Sequence, residues 1–434
     1  TASPARMTEG KGANSKDICK RFEDLVQINT ATENGATTSR EKIESQFLAL
    51  RNAVLFRGVG EPQRNPEGIT TFRGHLWKLF LGVLYVEDEA NPVELYISAL
   101  KKKKSRLKCQ DGRSSYQAIR DDSFRTMRGE KEVFDISKEE PKVIRVLNAY
   151  VHRANKPYNQ GMNTILAPFL VCMNEMDAFH CFHHLLEKVT PTYWMSYERK
   201  GSLGTSEGFY LGARAACRLA DKILLEVDPE LRGSLMDSDI ARHLPGKSRA
   251  QSFHALYSFR HMQVFTLVAR PLKEVIQLWD LYFALGMHMH VVAYVAQLML
   301  IRHKLMEKGA VINNLLSQEA WPLLDSRAVT SLTTNLMSQL SEKLINELEN
   351  HTTDRELCIE LTQWSLTDDH ARSFSDGRRR AKSLERTTSG GDALGKPRPS
   401  IPMQMTVTPR GLRSRDRGRS HAGPPSASNG CSIS

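Results

Sequence analysis

The chain has 434 residues, 40% hydrophobic and 25% charged, which is ordinary usage for a globular protein. Its seven cysteines show no paired spacing, so neither a disulfide framework nor a thiolate zinc site organises it. The net charge is +11, but residues 371–434 hold 13 Lys and Arg against 4 Asp and Glu, leaving only +2 for the first 370 residues. Basicity confined to a tail excludes a uniformly basic nucleic-acid-binding domain, and no nucleic-acid partner is expected.

In chain order, residues 1–16 (TASPARMTEGKGANSK) lack the apolar core of a signal sequence and are expected to be disordered. Residues 17–365 carry helical apolar spacing with no sustained alternation, so the expected fold class is all-α. "SREKIESQFLALRNAVLFRG" predicts a helix N-capped by Ser39 and closed by Gly58. The Gly- and Pro-rich segment 58–72 predicts a surface loop, and "HLWKLFLGVLY" the next helix. Segment 101–115, KKKKSRLKCQDGRSS, reads as a basic helix end that becomes a flexible link.

"AIRDDSFRTM" places Ile119, Asp122 and Arg125 at i, i+3 and i+6, on one side of a helix with Ile119 as core anchor. Asp122 can restrain the Arg125 guanidinium. Spacing alone makes this an ordinary intrahelical ion pair. "EEPKVIRVLNAYVHRA" predicts a helix that stops near Asn155, because Pro157 disfavours a helical Lys156. Tyr158, Asn159 and Gln160 then stand before Gly161, which permits an unusual dihedral. A helix is expected from about Gln160 through "MNTILAPFLVCM", with Pro168 a candidate kink. At that helix start Gln160 reads, taken alone, as a helix-end hydrogen-bonder.

Further helices are expected in "DAFHCFHHLLEKV", "PLKEVIQLWDLYFALG" and the mostly apolar "HVVAYVAQLMLIRHKLMEKG". One amphipathic helix, "SRAVTSLTTNLMSQLSEKLINELEN", should end the folded part. His288 and His290 are two apart, which suits core-edge or surface positions rather than a metal site. Cys172, Cys181 and Cys217 lie in apolar contexts and read as buried. Residues 366–434 are rich in Arg, Ser and Pro, have no core-forming pattern and are expected to be disordered. Arg372/Ser375, Arg386/Ser389, Arg417/Ser420 and Thr408-Pro409 make the tail a candidate for phosphorylation. No apolar run is long enough to span a membrane, and the free thiols suit a reducing, cytoplasmic setting.

No metalloprotease, nucleophile-elbow, phosphate-loop or kinase motif is present, so no hydrolase acting through its own nucleophile is expected. "I-x-x-D-x-x-R" followed by "Y-x-Q-G-M-N" resembles the signature pair of the TBC family, GTPase-activating proteins of Rab-type small GTPases. "FRGHLWKLFLG" (72–82) and "PLKEVIQLWDLYFALG" (271–286) resemble the family's flanking elements, so the likeness spans about residues 70–310. "FLVCMNEMDAFHCFHHLLEKVTPTYW" and "LADKILLEVDPEL" further resemble the mitotic-exit and septation subgroup.

The resemblance implies a helical domain of two subdomains over residues 17–365. It implies a Rab- or Ras-superfamily GTPase as partner, with Arg125 as arginine finger and Gln160 as glutamine finger acting in trans. Asp122, Thr126, Tyr158, Asn159 and Gly161 would support them or contact the GTPase, while Ile119 and Trp279 would be core positions. GTP and magnesium would belong to the partner, with no cofactor on this chain. A scaffold protein and a spindle-pole or centrosomal location are also implied. A membrane-traffic GAP and a non-catalytic adaptor of the same fold are the alternatives.

Overall fold

The computed structural model describes residues 17–25, 40–63, 65, 68–83, 91–200, 206–237, 248–307, 311–317 and 321–363, with backbone only at 40, 197–200 and 206–209. Residues 1–16, Ser39 and the tail with its Ser and Thr sites lie outside these residues.

Helices α1 (17–25), α2 (Arg40–Arg57), α3 (Phe72–Phe80) and α4 (Pro92–Leu100) come first. As expected, α2 closes at Gly58, whose φ of 71° is open to glycine at little cost. Ile18, Phe22 and Leu25 of α1 and Leu50, Ala53 and Val54 of α2 form a small core against Leu76 and Leu79 of α3. Next come α5 (Ser115–Ser123), α6 (Ile136–Ala154), α7 (Met162–Cys172) and α8 (Glu175–His184). The α6 apolar positions Val143, Val146, Leu147, Tyr150 and Val151 are buried, and its charged face is turned outward. It ends in a left-handed Asn155 (φ 51°, ψ 40°), two residues before Pro157. Because α7 is apolar on nearly every side, it runs through the core.

A hairpin of β1 (Ser196–Lys200) and antiparallel β2 (Ser206–Tyr210) follows, the one sheet among the described residues. The segments SYERK and SEGFY are too short and too polar to register as a strand pattern in sequence. The second half holds α9 (Leu211–Val227), α10 (Pro229–Asp237), α11 (Arg249–Phe253), α12 (Phe259–Gln263), α13 (Leu272–Leu285), α14 (Met289–Leu300), α15 (Arg302–Leu305) and α16 (Ile312–Leu316). The chain described here closes with α17 (Ser326–Met337), α18 (Glu342–Asn350) and α19 (Arg355–Leu361).

The single final helix expected from sequence is therefore two, followed by a third. Its break falls where Ser338 Oγ turns back to the Asn335 carbonyl and Ser341 bonds Glu226 through both its N–H and its hydroxyl. Serines that find such partners compete with helical bonding. Segment 101–115 is not a loose link either. Asn148 on α6 accepts from the Ser105 N–H at 3.1 Å, and Lys108 bridges to Ser114. Cys172, Cys181 and Cys217 are buried, as their contexts suggest.

One apolar core runs from Trp77 to Leu361. At its centre Trp77, Phe169, Trp279 and Phe283 pack with ring centroids 4.9–6.0 Å apart. Bordering these rings is a buried ion pair. Asp280 on α13 accepts from Arg73 Nε at 3.0 Å and from the Trp77 indole N–H at 2.8 Å, while Arg73 also donates to the Gly60 carbonyl. Burial opposes the Arg73 charge, and the adjacent Asp280 more than offsets it, so its pKa lies above the ordinary value. Gly74 is required next door: a Cβ there would stand 2.4 Å from the Cys172 carbonyl oxygen. That carbonyl already receives the Thr71 N–H and hydroxyl, joining the start of α3 to the end of α7.

The histidines correct the sequence reading. His290 is fully buried on α14, because that helix is enclosed on all sides. With His351 it flanks the Tyr193 hydroxyl at 3.0 and 2.8 Å, and burial pushes both imidazoles down to about 3. His261 lies against Trp321 (centroids 4.2 Å apart), its buried Nδ1 has no hydrogen-bond partner among the described residues, and burial holds it at about 3 too.

Two predictions come from this core. Asp280→Ala leaves Arg73 buried and unpaired and should lower unfolding stability by about 3–5 kcal/mol. Arg73→Met with Asp280→Leu should recover much of that loss; both are read from urea unfolding. For His261 the unfolded state takes a proton near 6.5 that the folded state refuses until about 3. Its contribution is thus intact above pH 6.5 and falls as pH drops below that, by about 1.4 kcal/mol per pH unit. His261→Phe should be neutral or stabilising at pH 7, with a flatter loss of stability between pH 6.5 and 4.

Candidate functional site

Helix α5 is N-capped by Ser114, whose side chain accepts from the Gln117 N–H, and ends at Ser123, whose hydroxyl bonds back to the Ile119 carbonyl. Ile119 is fully buried and anchors it, as expected. Arg125 is not on the helix. It stands in the turn just after it, where its N–H still reaches the Asp122 carbonyl at 3.3 Å. The chain then passes through Met127 at φ 50° to Glu130, whose carboxylate accepts from the Leu272 N–H at 3.0 Å and so caps α13.

The Asp122 side chain is 3% exposed and that of Arg125 is 51% exposed, and the two form an ion pair. The pairing raises the Arg125 pKa further above its already high ordinary value. The other Asp122 oxygen accepts from the Tyr158 hydroxyl at 2.9 Å. Burial, then the nearby Asp122 charge, push the Tyr158 pKa well up, so the hydroxyl stays a donor. It is also 2.9 Å from Asn163 Oδ1, while Asn163 Nδ2 donates to Thr126 Oγ1 at 2.9 Å. Thr126 and Asn163 are buried, so the Asp122–Tyr158–Asn163–Thr126 network is shielded from water.

The second segment is fixed from below. The Tyr158 N–H donates to Ser115 Oγ at 3.0 Å, and its carbonyl accepts from the Cys109 thiol at 3.2 Å. Asn159 is buried, with its N–H against Met162 Sδ. Gly161 caps α7 at φ 103°, which places the helix start at Met162 rather than Gln160. Gln160 is exposed, and its side-chain amide has no hydrogen bond among the described residues.

All seven site residues expected from sequence thus lie on two adjoining segments. Arg125 and Gln160 are exposed, and Asp122, Thr126, Tyr158 and Asn159 are buried beneath them. Further contributors have no role in the sequence reading. Asn163 closes the "Y-x-Q-G-M-N" motif, and a polar residue inside the apolar run "MNTILAPFL" is the signal for a buried hydrogen-bonding role. Exposed Phe124, with the Arg128 guanidinium 4.9 Å above its ring, gives no such signal. Gln263 is 103 residues from Gln160 yet donates to its carbonyl, and no local pattern discloses that. Among the described residues no helix is long and apolar enough to cross a membrane.

Residues 70–306 match the model of the RabGAP-TBC family, the Rab-GTPase-TBC domain. The chain is 27% identical over 371 residues to mitotic check point protein BUB2 of Dictyostelium discoideum, covering 83% of this chain and 87% of that protein. It is 30% identical over 241 residues to cell division control protein 16 of Schizosaccharomyces pombe, covering 55% of this chain and 71% of that protein. Among solved structures, the TBC domain of a Chlamydomonas flagellar RabGAP is 19% identical, with 75% of this chain and 96% of that chain covered at a TM-score of 0.47.

Tyr158→Phe removes one donor from a buried carboxylate and keeps the ring. It should lower unfolding stability by about 1–3 kcal/mol, as measured in urea. Arg125→Ala leaves the buried Asp122 carboxylate with Tyr158 and no charged partner, and should lower stability by about 1–3 kcal/mol in the same assay while the domain stays folded.

Proposed function

The chain belongs to the Rab-GTPase-TBC family, and we propose that it accelerates GTP hydrolysis by a small GTPase through Arg125 and Gln160, which it inserts into the partner's nucleotide site. The observation that carries this reading is the shared Asp122 carboxylate. One buried group grips Arg125 and, through Tyr158, the segment bearing Gln160, so two exposed polar side chains stand on one rigid base. Hydrolysis forms a bond from water to the γ-phosphorus and breaks the bond to the β–γ bridging oxygen. Negative charge then builds on the phosphoryl and leaving oxygens, and an arginine supplied in trans stabilises it. The Gln160 carboxamide can accept from the attacking water and donate to an oxygen beside it without adding charge. GTP and magnesium are the GTPase's own.

Two further parts of the proposal rest on the relatives. One is named for a mitotic check point and another for cell-division control. Their names support regulation of mitotic exit or cytokinesis over a role in membrane traffic. A scaffold protein that brings the chain to the spindle pole or centrosome belongs to the same reading.

A panel of GTP-loaded small GTPases, assayed with the full chain, tests it. At least one should hydrolyse GTP faster, and Arg125→Ala should cut that stimulation by on the order of 10³. Gln160→Ala should also cut it severely, with both variants folded as the parent is. Stimulation that survives both substitutions would remove the two side chains from the mechanism. Binding without stimulation by any GTPase would instead favour an adaptor.

A further inference from the structure

We propose that Gln263 is a positioning residue for Gln160, and that a strained turn at 264–266 holds Gln263 in place. This rests on the role of Gln160 proposed above and concerns what fixes its direction. The Gln160 amide is exposed and has no hydrogen bond among the described residues, so its aim depends on the backbone that carries it. The Gln160 carbonyl has no backbone donor among the described residues; it accepts from Gln263 Nε2 at 3.1 Å. Val264 closes over the next residue, with its Cγ1 3.1 Å from where a Cβ on Gly161 would lie. Gln263 and Val264, from the second half of the sequence, therefore both contact the 160–161 segment.

The support behind them is unusual. Phe265 and Thr266 are consecutive non-glycine residues at φ 50° and 73°, and Thr266 is β-branched. Such conformations are costly and persist only where the surroundings over-determine them. They are over-determined here. The Trp279 indole N–H donates to the Phe265 carbonyl at 3.0 Å, and the Thr266 N–H donates to the His261 carbonyl at 2.9 Å. Thr266 Oγ1 pairs with the Tyr282 hydroxyl at 2.8 Å, while the Phe265 ring packs against Tyr193 and His290 with centroids 4.9 and 5.0 Å away. The turn ends α12 directly after Gln263 and holds Gln263 and Val264 at the Gln160–Gly161 peptide. Any loosening there rotates that peptide and swings the Gln160 carboxamide.

A kinetic cycle with the full chain and a responsive GTPase decides the matter. Gln263→Leu removes the donor at similar size and should lower kcat about tenfold, the worth of one well-placed hydrogen bond, with KM within about twofold of the parent. In a Gln160→Ala background the same change should alter kcat by less than about twofold, since no amide is left to aim. In an Arg125→Ala background the tenfold loss should persist. Gln263→Glu, nearly isosteric and without a donor, should repeat the pattern and stands in if the leucine variant misfolds. An equal loss with and without Gln160, or no loss at all, overturns the assignment. If Gln160→Ala alone costs nothing, the reading of Gln160 fails, and that single variant identifies which idea was wrong.

Discussion

The Asp280 carboxylate is the constraint on which the rest of the structure depends. A carboxylate buried beside four aromatic rings would be strongly destabilising without partners. It has Arg73 and the Trp77 indole, both from α3, so a shift of α3 along α13 would strip a buried carboxylate of its partners. Arg73 extends the hold to the Gly60 carbonyl, and Gly74 lets α3 approach the end of α7 where a Cβ would clash. The ion pair thus ties α3 to α13, and losing either partner alone would leave a buried, uncompensated charge.

Once α13 is placed, its other groups reach the site from both sides. Glu130, in the turn after Arg125, caps the α13 N-terminus, so the arginine turn and the helix fix each other. Trp279, the neighbour of Asp280, holds the carbonyl of Phe265, and Tyr282 one turn on meets Thr266. The segment over Gly161 is therefore set by the same helix that carries the buried carboxylate. Groups meant to enter another protein must stay exposed, and exposed long side chains are poorly ordered by themselves. Order has to come from beneath, and here it comes from a buried polar network and one rigid helix.

Local features were the legible ones. The α6 stop at Asn155, the α2 stop at Gly58 and the buried runs of α7 and α14 each arise from a few neighbouring residues, so the sequence pattern contains them. The Asp122–Arg125 pair is local as well, although the helix ends before Arg125 and the pairing is made from a turn. What the pattern does not contain is distant in the chain. The Asp280–Arg73 pair spans 207 residues and the Gln263–Gln160 bond 103, and either polar residue alone reads as a surface group. His290 misled for a related reason, since imidazole is polar by type and apolar in effect once burial keeps it neutral. Segment 101–115 looked loose because its anchors, Asn148 and His152, lie on α6.

The asymmetry of the Asp122–Arg125 pair bears directly on the proposed chemistry. An exposed carboxylate beside the arginine would repel the phosphates that the arginine is meant to approach. Here the carboxylate is covered, and its second oxygen accepts from Tyr158, which further damps its outward field. Arg125 meets Asp122 through Nη2, and no other guanidinium nitrogen has a hydrogen bond among the described residues. A guanidinium carries five N–H donors in a planar fork, so a single anchoring contact leaves most of them for phosphoryl oxygens. A lysine could not divide its role in this way: its ammonium is one compact charge on a flexible stem, and pairing with Asp122 would commit the same atom that has to reach the partner.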